Sequence, residues 1–98
     1  MMMDELFHKA KVLSDSFLAA KFPGKYIKIS LKYVEEQGKP SEILCRIEVY
    51  KKTFLGNELV RKIAYTIKKE RHFHKYSACL ASLSAEYGAK SAEMSDSD

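Results

Sequence analysis

Along residues 61–87 the spacing of apolar positions changes period. Ile63, Tyr65 and Ile67 alternate with Lys62, Ala64, Thr66 and Lys68, the two-residue repeat of a half-buried strand. Phe73, Tyr76, Leu80, Leu83 and Tyr87 then recur every three or four residues, the stripe of an amphipathic helix. The change falls at Lys68-Lys69-Glu70-Arg71. A strand that runs into a helix must fold it back over one sheet face, because each element has one apolar side to hide. The alternate strand positions then face away from the helix, and two of them are lysines.

Residues from Asp4 to Lys21 show the helical repeat first, with Leu6, Ala10, Leu13, Phe17 and Ala20 on one face. Asp4 is the expected N-cap, and Phe22-Pro23-Gly24 the expected stop. A first strand is expected from about Lys25 to Glu35, with Ile27, Ile29, Leu31 and Tyr33 on one side and Lys28, Ser30 and Lys32 on the other. Gln37-Gly38-Lys39-Pro40 reads as a turn. A second strand begins near Glu42, with Ile43, Cys45, Ile47 and Val49 opposed to Leu44, Arg46, Glu48 and Tyr50. Centring the hairpin on Gly38 puts Tyr33 and Ile43 on one face, which makes the register self-consistent.

The next connection does not close as simply. Gly56-Asn57 is a turn dipeptide, but a two-residue loop there would set Tyr50 against Ile63 and mix the two faces. The pattern therefore requires an odd-length loop or a bulge near Lys51–Phe54, with residues 51–58 projecting beyond the sheet as a mobile tip. A third strand is expected over about Val60–Lys68 and a second helix over Glu70–Tyr87, with Gly88 as its C′ residue. Ser91–Asp98 has no period and reads as a disordered acidic tail. The expected fold is α+β: a single αβββα domain over residues 1–90, its antiparallel three-stranded sheet covered by two helices on one face. The other face is open and basic.

Charge sharpens this picture. The 98 residues carry 17 Lys and Arg against 13 Asp and Glu, a net of +4. All the cations lie within residues 1–90 while Glu93, Asp96 and Asp98 follow, so the body holds ten acids and a net +7. Such a body suits a polyanionic partner, although the same charge would also fit a merely soluble surface. No apolar run approaches a membrane span and the first residues lack a signal-peptide pattern, so an intracellular, cytoplasmic protein without a membrane partner is expected.

Chemistry is sparse. Cys45 and Cys79 have no metal-ligand or redox spacing and read as small core residues. His72 and His74 are two apart on a helix and point in nearly opposite directions, and His8 stands alone. There is no phosphate-binding glycine loop, zinc-protease motif or nucleophile elbow. Neither an enzyme nor a cofactor is expected.

The element order first suggests a double-stranded-RNA-binding domain, but Ile63–Lys69 stands where that family has a glycine-rich segment. A better resemblance is to the Alu-domain family of the signal recognition particle, its fourteen-kilodalton subunits in particular. Ile29-Ser30-Leu31-Lys32-Tyr33 looks like the first strand of those subunits, and Leu44-Cys45-Arg46 resembles the core of their second. Lys62-Ile63 and Lys75-Tyr76 to Leu83 resemble their third strand and second helix. The similarity covers most of residues 4–87, as a whole pattern.

The resemblance implies an RNA-binding subunit that pairs with a second αβββα protein, or with itself as a homodimer. The joined sheets would grip the 5′ part of the particle's RNA, reach the ribosome indirectly and delay elongation during targeting to the endoplasmic reticulum. By position Arg46 and Lys62 match basic RNA-contacting residues of the family, and Lys28 and Lys32 share their face. Two features depart from the family: the segment Glu35–Ser41 is short, and the basic C-terminal segment tied to elongation arrest has no counterpart after Lys90. Residues 51–58 look like an insertion. The alternative is a protein-interaction or dimerisation module, or a double-stranded-RNA-binding-like domain, with no targeting role.

Overall fold

The structure, a computed structural model, describes residues 2–88. The acidic tail expected over Ser91–Asp98 lies outside them. Helix α1 spans Met3–Leu18, followed by strands β1 (Lys25–Val34), β2 (Glu42–Thr53) and β3 (Gly56–Ile67) and helix α2 (Glu70–Tyr87). The strands form one antiparallel sheet in the order β1-β2-β3. The architecture is the expected αβββα arrangement. Helix α1 packs over β1 and α2 over β3, and the helices touch each other.

Both helices start without a side-chain N-cap. The N-cap of α1 is Met2, so Asp4 is not the cap expected from the sequence. It stands with Glu5 in the first turn, where an acid acts through the helix dipole instead. This helix also stops at Leu18, three residues before Lys21. The Ala19 N–H already bonds the carbonyls of Asp15 and Ser16, and Ala20 bonds Phe17, so the last turn tightens before Pro23 can act. In α2 the N-cap is Lys69, and the side chain of His72 reaches back to accept the Lys68 N–H at 3.0 Å. That reach-back from the third helical position resembles a capping-box glutamate, except that it takes the N–H one residue before the N-cap. Gly88 follows α2 with φ −75°, not the left-handed geometry of a C′ glycine. Its reason is close approach: a Cβ there would collide with the Ser84 carbonyl oxygen.

The β1–β2 register is the one expected. Tyr33 pairs with Ile43 around a turn in which Gly38 takes φ +80°. The second hairpin differs. Its loop is Phe54-Leu55, because Thr53 pairs with Gly56, and Gly56 and Asn57 belong to the ladder. A register shift does occur, but higher up. Val49 faces Arg61 while Tyr50 faces Leu59, so Val60 is the unmatched residue and the bulge lies in β3, not in Lys51–Phe54. Residues 51–53 and 56–58 are likewise paired strand: Lys51 faces Glu58 and Lys52 faces Asn57. They do extend past β1, which ends at Lys25 opposite Lys51.

The core lies between the sheet and the helices. Ile27, Ile43, Cys45, Ile47, Val49 and Ile67 meet Leu6, Ala10, Phe17, Tyr76, Leu80 and Leu83, all buried. Its one buried polar residue is Ser14, whose Oγ donates to the Ala10 carbonyl at 2.7 Å. With that hydrogen committed, the Tyr76 hydroxyl donates to Ser14 Oγ, also at 2.7 Å. This bond ties α1 to α2. Among the described residues no buried side-chain polar atom lacks a partner.

Candidate nucleic-acid interface

Strand alternation and the observed registers fix what the uncovered face presents. One row across the sheet is Lys28, Glu48 and Lys62; the next is Ser30, Arg46 and Ala64; the third is Lys32, Leu44 and Thr66. The four expected polyanion-contacting residues, Lys28, Lys32, Arg46 and Lys62, therefore share this face, and all four are exposed. Strands about 4.8 Å apart and alternate rows nearly 7 Å apart place their Cα atoms within roughly 10 by 14 Å. Among the described residues none of the four forms an ion pair. Arg46 sits at the centre of the group, exposed and between Ser30 and Ala64 in its row.

Two acids lie on the same face. Glu48 stands between Lys28 and Lys62 in its row. Glu42 holds Lys68 at 3.8 Å, which removes Lys68 from the set of free cations the strand pattern had placed there. Arg61 is not on this face. It follows the bulge on the helix-covered side, where its guanidinium donates to Glu86 Oε2 of α2 at 2.7 Å. A hydrogen bond to Tyr87, with the charge of Glu86, holds that guanidinium above its ordinary pKa.

The sequence pattern stopped short at one end of the face. Tyr50, expected there, pairs across strands with Tyr26, their ring centroids 5.8 Å apart, and Leu59 completes the row. Extending the alternation of β1 two residues back from Lys28 would have found Tyr26. Nothing local would have found Leu59, whose face depends on the bulge. Desolvation, aided by the charge of Glu48, raises the Tyr50 hydroxyl above its usual pKa.

The titratable groups expected to be inert stay apart from this face. Cys45 is buried in the core, where desolvation pushes its thiol up to about 12. Cys79 is half-buried on α2 and free. His72 leans edge-on toward Tyr65, with ring centroids 6.4 Å apart, while His74 lies 3.9 Å from Glu70, so the two histidines diverge as expected. Among the described residues no group of three or more His, Cys, Asp or Glu could hold a metal. No described helix is long and apolar enough to cross a membrane.

The fold and this face define a one-sided α+β sandwich whose bare sheet surface is cationic at its centre and aromatic at one end. In comparisons with protein families, curated proteins and solved structures, the chain matches none.

Proposed function

We propose that this chain is an RNA-binding, ribonucleoprotein-assembly subunit that holds structured RNA on its open sheet face. The carrying observation is the cluster of Lys28, Lys32, Arg46 and Lys62, coplanar, exposed and unpaired. Long cations fixed on a rigid sheet suit phosphates, and RNA duplexes are recognised mainly through shape, phosphate and 2′-hydroxyl contacts. The reading assigns no catalytic step and no cofactor to the chain. Its specific form rests on the family resemblance: a cytoplasmic Alu-domain subunit of the signal recognition particle. That subunit would bind the 5′ part of the particle RNA as a dimer, with a second αβββα subunit or its own copy, and contribute to elongation delay. The free edges of β1 and β3 support the dimer.

The test is the salt dependence of RNA binding. Replacing all four cations by Ala should flatten the slope of log affinity against log salt by about three to four. An unchanged slope would show that the phosphates lie elsewhere.

A second reading, a protein-interaction module, draws on exposed Leu44 and the Tyr26–Tyr50 pair on the same face. It predicts self-association that persists at high salt, with no RNA affinity to lose.

A further inference from the structure

The largest departure from ordinary surface chemistry is at the β2–β3 loop. Two-residue hairpin loops favour Gly, Asn and Asp, which tolerate the turn and hydrate well. This one is Phe54-Leu55, with the two side chains 96% and 85% exposed. The loop is held in place rather than loose. Thr53 Oγ1 donates to the Gly56 carbonyl at 2.6 Å and accepts the Leu55 N–H at 3.3 Å, and Gly56 supplies φ +128°. A bulky apolar pair is thus presented to water on a fixed turn, with no packing role inside the chain.

Lysines surround the base of this apex. Lys51 and Lys52 are successive residues of β2, so they point to opposite sides of the ribbon. Lys52 lines an open hollow together with Lys21, Lys25, Phe22 and Tyr26. The one acid on the ribbon is Glu58, opposite Lys51. The Lys52 N–H still bonds the Gly24 carbonyl at 3.0 Å, and past it the ribbon continues for one more paired position and the loop. At about 3.4 Å per residue that is roughly 7 Å of free reach. Interfacial segments bury their apolar side chains about 5–10 Å into the boundary between headgroups and acyl chains, so the reach suffices while the body stays outside.

We propose that the β2–β3 ribbon is a docking element for an anionic lipid surface, with Phe54 and Leu55 entering the interface and Lys21, Lys25, Lys51 and Lys52 meeting the headgroups. Neither half suffices alone, because stable peripheral attachment takes an apolar and an electrostatic component together. Charge complementarity selects this occupant over an apolar groove on another protein, which would not call for cations on both sides of the ribbon. The sequence expectation was of no membrane partner, drawn from the absence of a span; an interfacial ribbon needs no span. The proposal stands apart from the RNA reading, since none of the four open-face cations takes part.

The experiment is co-sedimentation of the full chain with vesicles of phosphatidylcholine and phosphatidylserine at roughly three to one. Binding is expected, with loss on vesicles of phosphatidylcholine alone. F54S/L55S should abolish it, and K51A/K52A should weaken it roughly fivefold per lysine at low salt. Both sites are exposed, so folding is not at stake. The chain has no tryptophan, so L55W reports depth: its emission should shift to the blue on binding and be quenched by brominated acyl chains. RNA binding by F54S/L55S should keep its salt slope, which separates this element from the sheet face. Three results would each overturn the proposal: no binding to the mixed vesicles, binding that survives F54S/L55S, or a wild-type dimer that F54S/L55S makes monomeric without any vesicle affinity.

Discussion

Ser14 and Tyr76 make the sharpest test of how the two helices are held. Replacing Ser14 by Ala strands the Tyr76 hydroxyl in a site that is 0% exposed. A buried hydroxyl left without a partner costs about 1–3 kcal/mol, offset by up to about 0.5 kcal/mol because Ala is the better helix former. The expected loss is about 1–2.5 kcal/mol, or about 5–15 °C in melting temperature for a domain this size. Tyr76→Phe removes the donor but leaves Ser14 bonded to the Ala10 carbonyl, so about 1 kcal/mol is expected. The double variant S14A/Y76F removes both partners and strands nothing. It should be no less stable than S14A, giving a coupling of roughly 1–2 kcal/mol. Urea unfolding followed by circular dichroism, run as a double-mutant cycle, measures this directly. Additive losses would refute the pairing and with it the proposed fixing of α1 against α2.

Two pH dependences follow from buried groups. Desolvation pushes both Tyr76 and Cys45 up to about 12, from 10.0 and 9.0, so the unfolded chain releases these protons first; stability should be whole below pH 9 and fall between pH 9 and 12. In Y76F the part of that fall above pH 10 should shrink, read from urea midpoints across the range. His72 is shifted the other way, below 6.5, by desolvation and then by Lys69, Arg71, Lys75 and Lys68. Its neutral ring accepts the Lys68 N–H, so the bond should be present above pH 6.5 and lost as pH falls further. Hydrogen exchange at the Lys68 amide should accelerate there relative to the amides of α2, and in H72A it should be fast at all pH values.

The parts of the fold set by long periodic runs were legible in the sequence. Tyr33 and Ile43 could be paired, and the four open-face cations placed together, because period-two alternation ties each residue's face to its neighbours. The bounds of α2 came from the same source. What escaped was local and cooperative. The end of α1 depended on a tightening of its last turn near Phe17 and Ala19, not on Pro23. Gly56-Asn57 looked like a loop because both residues favour turns, yet Thr53 captures the Gly56 carbonyl and moves the loop to Phe54-Leu55. A bulge was required by the mismatch of faces, but its location at Val60 depends on which ladder stays in phase longer. Pairing of Lys68 with Glu42 crosses strands, and the helical partner of Arg61 is 25 residues away in sequence, beyond any local pattern.

Beyond the bulge, the ribbon grows only by matched rungs. Adding or deleting residues in equal number on each arm between Lys51 and Glu58 would lengthen or shorten it while Ile43–Val49 and Arg61–Ile67 keep their pairing. One residue per arm would turn Phe54 and Leu55 over relative to the sheet, and two per arm would restore their faces. Hairpin length is therefore a dimension of this protein free to drift in even steps, and the distance from its apex to the cationic face can change without any cost to the core.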